Sequence, residues 1–109
     1  MYLKTNNKTY EIIIADTFYK RLTGLIGYKN INFGMLFPKC NSIHTYFMKE
    51  NIDIIGLDTN NEVIYKYENL NKNRVIKINN DIKKTSILEL PANSSKKIRI
   101  GTILIFENN

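Results

Sequence analysis

The chain has 109 residues and a mass of 12.8 kDa, with 43% hydrophobic and 24% charged residues, so wholesale disorder and fibrous repeats are excluded and a single domain, residues 1–109, is expected. Sixteen Lys and Arg against ten Asp and Glu give a net charge of +6, but the excess is divided evenly between the two halves and forms no basic tail. One cysteine, Cys40, rules out an intramolecular disulfide, and no apolar run approaches the roughly 20 residues of a membrane span, so the expectation is a basic cytoplasmic protein without membrane insertion.

In chain order, Thr9 to Ala15 (TYEIIIA) has the β-branched and aromatic content of a strand and follows a turn expected at Asn6-Asn7. Next, Phe18, Leu22, Leu25 and Ile26 recur at helical spacing, which predicts one helix capped by Asp16, weakened at Gly24 and ended at Gly27. From Gly34 onward the period shifts to two. Met35 to Phe37 reads as a short strand stopped by Pro38, and Ser42 to Met48 alternates, with Ile43, Thr45 and Phe47 opposite His44, Tyr46 and Met48.

Asp53 to Asp58 and Glu62 to Tyr67 flank Thr59-Asn60-Asn61, a connection of hairpin length, and should pair antiparallel. Further strands are expected at Arg74 to Ile78, Ser86 to Leu90, Lys97 to Ile100 and Ile103 to Phe106. No helical crossover for a parallel pair is visible in this pattern. The fold class expected is therefore mainly β (α+β), a small antiparallel, barrel-like sheet with one packed N-terminal helix.

The one cysteine and the one histidine, Cys40 and His44, lie four residues apart and could act as nucleophile and base, with Asp53 as orienter. In a fully extended chain they would sit about 13 Å apart at roughly 3.3 Å per residue, so a turn at Asn41-Ser42 is needed to bring them together. The competing reading makes Cys40 a small buried hydrophobe and His44 a hydrogen-bonded sheet residue. Zinc usually takes at least three protein ligands, and one Cys with one His announces no metal site and no cofactor. Asp53, flanked by isoleucines, needs compensation if buried, and Arg21 is a candidate partner; Glu89 in ILEL poses the same question. The densest basic run holds Lys72, Arg74, Lys77, Lys83 and Lys84 against Asp81 alone, a weak nucleic-acid signal that a solvated face explains better. No GxGxxG, P-loop, HExxH, GxSxG or EF-hand pattern occurs.

Several segments taken together resemble one family. Arg21-Leu22-Thr23-Gly24-Leu25-Ile26, Gly34-Met35-Leu36-Phe37, His44-Thr45-Tyr46-Phe47-Met48-Lys49, Ile52 to Asp58, Glu62-Val63-Ile64 and Leu88-Glu89-Leu90-Pro91-Ala92 follow one another as in domain of unknown function 192, also called uncharacterised protein family 0127. The shared positions fall here on Arg21, Gly24, Gly34, Met35, Phe37, Met48, Asp53, Asp58 and Glu89. Three positions depart from the family pattern: Asn93 stands where a glycine usually follows Pro-Ala, Gly101-Thr102 where Gly-Asp is usual, and Gly56 where a bulky apolar residue is expected. The resemblance implies a mostly β, barrel-like domain with a packed helix, supplies no activity, and associates some relatives with secretion or pilus-assembly components.

The function expected on these grounds is a non-enzymatic binding or accessory module for a protein or small-molecule partner, with a polar pocket near Arg21, His44, Met48, Asp53 and Glu89. The alternatives are a thiol-dependent enzyme using Cys40 and His44, and a basic-surface nucleic-acid binder.

Overall fold

The computed structural model describes residues 1–5 and 8–108, with the backbone alone at positions 18, 19 and 22; the turn expected at Asn6-Asn7 lies outside the described residues. Among the described residues nine strands form: β1 (Tyr2–Thr5), β2 (Lys8–Ile14), β3 (Gly34–Phe37), β4 (Ser42–His44), β5 (Ile52–Leu57), β6 (Val63–Leu70), β7 (Val75–Lys77), β8 (Ser86–Pro91) and β9 (Phe106–Glu107). A six-residue helix, α1 (Phe18–Thr23), follows β2, and a 3-10 turn at Ile82–Lys84 precedes β8.

Seven strands make one sheet in the order β6-β5-β8-β3-β2-β1-β9, while β4 and β7 pair separately. The fold is mainly β, but two expectations are corrected. The sheet is mixed, because β2 and β3 pair in parallel with Ile12 opposite Gly34, and α1 lies in the crossover between them. It is also open, with β6 and β9 at its ends and no closed barrel. The two ends are nevertheless tied by an isolated bridge between Glu62 and Ile103.

The packed helix expected over Phe18, Leu22, Leu25 and Ile26 is not what forms. Thr17 rather than Asp16 caps the N-terminus, its hydroxyl accepting from the Lys20 N–H at 3.1 Å. Helical geometry ends at Gly24, whose φ of +51° favours glycine and whose N–H donates to the Lys20 carbonyl at 2.8 Å, so Leu25 and Ile26 lie beyond the helix.

The hairpin of β5 and β6 is antiparallel, as the spacing predicts. Asp58 organises its turn by accepting from the Asn60 and Glu62 N–H groups, both at 2.9 Å. By contrast, the strand expected through Met48 stops at His44. Thr45 Oγ1 donates to the Asn71 carbonyl at 2.7 Å and accepts from the Arg74 N–H at 2.9 Å, and the chain then turns through Phe47 at a φ of +66°. Lys97 to Ile100 also fails to form a strand, because the chain turns where the Ile98 N–H donates to the Ser95 carbonyl at 2.9 Å.

Alternation along the central strands sorts side chains into two cores. Met35, Phe37, Ile52, Ile54 and Ile87 face one side with Leu25 and Met48; Leu3, Ile12, Ile55, Leu57, Leu88 and Leu90 face the other with Ile98 and Leu104. Asp53 and Glu89 fall on opposite sides of this division: each continues the alternation of its own strand, and Asp53 lies opposite Leu90 while Glu89 lies opposite Ile54.

Candidate functional site

Glu89 sits in β8 between β5 and β3, opposite Ile54 on one side and Met35 on the other. A carboxylate at the centre of a sheet is costly unless hydrogen bonded. Here the side chain is 4% exposed and its Oε1 has no hydrogen-bond partner among the described residues. Burial pushes the Glu89 carboxyl up to about 7, opposed by a hydrogen bond from the Leu25 backbone. The end of α1 lies directly over this group: a Cβ at Gly24 would stand 3.1 Å from Glu89 Oε1 and 3.0 Å from Phe37 Cζ.

Glu89 forms part of the wall of a cavity of about 110 Å³. Phe37 and Met48 supply apolar wall, and Arg21, Thr23, Cys40, Ser42 and His44 contribute to the polar part of the lining. Arg21 braces the rim, donating from Nη1 to the Pro38 carbonyl at 2.8 Å and from Nη2 to the Lys39 carbonyl at 3.3 Å. The Cys40 thiol donates to the Ser42 carbonyl at 3.2 Å, and the exposed His44 ring stacks on Tyr46 with centroids 5.1 Å apart. Cys40 and His44 thus share one cavity, while the thiol's described hydrogen bond goes to the backbone.

Asp53 is placed elsewhere. It is fully buried on the other face of the sheet, where Oδ1 accepts from the N–H groups of Asn69 and Asn93 at 2.8 and 2.9 Å, and Oδ2 accepts from the N–H of Ser95 at 3.0 Å and from its hydroxyl. Four donors compensate its charge, and Arg21 is not among them. The expected grouping of Asp53 with Cys40, His44 and Arg21 is therefore not what the fold assembles. The signal for this was available in the alternation of β5, which sets Asp53 with Ile55 and Leu57.

Lys72, Arg74, Lys77, Lys83 and Lys84 are exposed along β7 and the adjoining turns, and the Arg74 guanidinium stands 5.8 Å from the Tyr67 ring centroid. Among the described residues no group of three or more His, Cys, Asp and Glu side chains is placed to hold a metal ion. None of the described helices is long and apolar enough to cross a membrane. Sequence reasoning overlooked Gly24 and Leu25 as parts of the site; a glycine three residues before the predicted helix stop was the available sign.

Known proteins are similar to this chain in sequence or in fold. A UPF0127 protein of Thermococcus sibiricus is 41% identical over 69 residues, covering 56% of this chain and 45% of that protein. The UPF0127 protein TK1120 of Thermococcus kodakarensis is 40% identical over 60 residues, covering 50% and 38%. The matched segments thus span less than half the length of these curated relatives. Among solved structures, a protein of unknown function from Novosphingobium aromaticivorans superposes with a TM-score of 0.76 at 14% identity, covering 96% of this chain and 82% of that one. A putative transcription regulator from Sinorhizobium meliloti gives 0.70 at 17%, covering 94% and 87%. At these identities the likeness is one of fold. The sequence profile of DUF192, described as "Uncharacterized ACR, COG1430", matches residues 1–104, and the chain belongs to this family of uncharacterised proteins.

Proposed function

We propose that this chain is a non-enzymatic binding module whose ligand site is the cavity over Glu89. One observation carries the reading: a buried carboxyl oxygen lines the cavity with no partner of its own. Leaving such a group unsatisfied costs about 1–3 kcal/mol, and a ligand that presents an N–H donor recovers it. The cavity volume of about 110 Å³ restricts the ligand, or the inserted part of a larger partner, to a few heavy atoms. Arg21 holds the rim in place through Pro38 and Lys39, and Phe37 and Met48 supply apolar surface beside Glu89.

Titration with methylammonium and formamide as donors, and acetate as the acceptor control, tests this through the Leu25 amide resonance. The donors shift it saturably, acetate does not, and Glu89→Gln weakens methylammonium binding at least tenfold. With the carboxyl at about 7, methylammonium binds about tenfold tighter at pH 8 than at pH 6, because ionised Glu89 is the competent form. A Leu25 response that is linear in every probe, or identical in Glu89→Gln, removes the site.

A second reading, a thiol-dependent enzyme, draws support from the presence of Cys40 and His44 in the same cavity. Native alkylation of Cys40 with a midpoint well below the free-thiol value of about 8.5 would advance it; reaction as an ordinary thiol would end it.

A further inference from the structure

The larger concavity lies on the other face of the sheet, distant in the fold from Glu89, and its chemistry differs. It is a groove of about 500 Å³ between β1, the turns at 93–98 and the segment at 102–107. That volume falls in the roughly 300–1,000 Å³ range of small-molecule sites. Its floor is the second core, through Leu3, Ile98 and Leu104, all buried. Ile103 and Ile105 extend the apolar surface outward, 58% and 74% exposed. The charged lining groups are Lys4, Lys96, Lys97 and Glu107, and among the described residues none of the three ammonium groups has an ion-pair partner.

The lysine-bearing wall is held in place. Asp53 accepts from the Asn93 and Ser95 N–H groups, and Lys66 Nζ donates to the Lys96 and Ile98 carbonyls at 3.3 and 2.7 Å. Lys96, Lys97 and Ile98 are therefore carried on backbone fixed from beneath by a buried carboxylate and from the side by an ammonium. Such fixing lowers the ordering cost of binding. We propose that this groove binds an amphiphilic carboxylate, a medium-length alkyl chain lying over Leu3, Ile98 and Leu104 with its carboxylate at Lys96 and Lys97. The net positive rim selects the anion, and the apolar floor selects the chain.

The test uses decanoate below its micelle concentration, with decanol and acetate as single-feature controls, followed by amide shifts of the intact protein. Decanoate shifts residues 96–104 saturably, decanol and acetate bind at least tenfold more weakly, and raising the salt weakens decanoate severalfold. Lys96→Glu with Lys97→Glu, and separately Lys96→Gln with Lys97→Gln, lower decanoate affinity, the first by about tenfold, while the spectrum elsewhere stays that of the folded protein. Equal binding of decanol, unchanged affinity in both lysine variants, or shifts centred on Leu25 instead would overturn the proposal.

Discussion

Two carboxylates lie buried in adjacent central strands, and they are opposites in their surroundings. Asp53 receives four donors and fastens the 93–95 turn to β5. Glu89 has the Leu25 backbone as its partner and an Oε1 without one, and burial lifts its carboxyl from 4.5 to about 7. The folded state therefore holds a proton that the unfolded chain releases. Below about pH 4.5 both states are protonated and the full contribution to stability is present; as pH rises toward 7 it is lost, about 3 kcal/mol in all. Glu89→Gln, which does not titrate, should lack this decline. Urea unfolding of both proteins between pH 4.5 and 8 checks the difference; parallel curves would mean that Glu89 titrates normally in the folded state. Both carboxylates stand out in the sequence as charges amid isoleucines and leucines. Their donors do not, because, the Ser95 hydroxyl aside, Asn69, Asn93, Ser95 and Leu25 reach them through backbone N–H groups that every residue type except proline carries. The departure at Asn93 has a plain local basis: it adopts a φ of +66°, in the left-handed region that glycine favours and asparagine tolerates.

At the scale of elements, the strands with dense β-branched content were legible, and those fixed by side chains distant in sequence were not. β2, β5 and β8 stand within a residue or two of expectation, whereas β1 was overlooked because four residues at a terminus give too short an alternation. The parallel pairing of β2 with β3 escaped notice because α1, only six residues long, is a weak crossover signal. That pairing requires Gly34. A Cβ there would stand 2.7 Å from Ile12 Cδ1, 2.8 Å from Leu90 Cδ2 and 3.0 Å from the Glu89 carbonyl, and the last is backbone that side-chain rotation does not relieve. Gly34→Ala should cost about 1–3 kcal/mol and Gly34→Val more, read as a lower urea midpoint at unchanged slope. Stability equal to the parent in both variants would show that β3 sits farther from β8 and β2 than described. Gly56, another departure from the family pattern, has a similar cause: Ile78 Cδ1 would lie 2.6 Å from an added Cβ, so Ile78 fills the space a larger side chain would occupy.

For the whole molecule, the decisive feature is how an open seven-stranded sheet protects its ends. β6 and β9 are the terminal strands, and an unpaired edge invites association with another chain. The segment before β9 returns to the start of β6 and spans the gap. The Val63 N–H donates to the Thr102 carbonyl, the Gly101 N–H to the Val63 carbonyl and the Leu104 N–H to the Asn61 carbonyl, each at 2.8 Å. Gly101, at a φ of +94°, makes the turn that brings this segment into register, while Val63 and Leu104 seal the second core beneath it. The barrel expected from short strands at close spacing does not close; three hydrogen bonds, rather than a strand ladder, link the segment before β9 to the start of β6. If these bonds hold the ends together, opening them exposes core, so the amides of Val63, Gly101 and Leu104 should exchange with solvent nearly as slowly as those of β5. Ile103, whose N–H is not among the described backbone donors, should exchange far faster and serves as the internal reference. Native-state hydrogen exchange followed by amide spectra measures all four. Exchange of Gly101 and Leu104 at the rate of Ile103 would mean that the two ends part independently of global unfolding, leaving the β6 edge open to pairing.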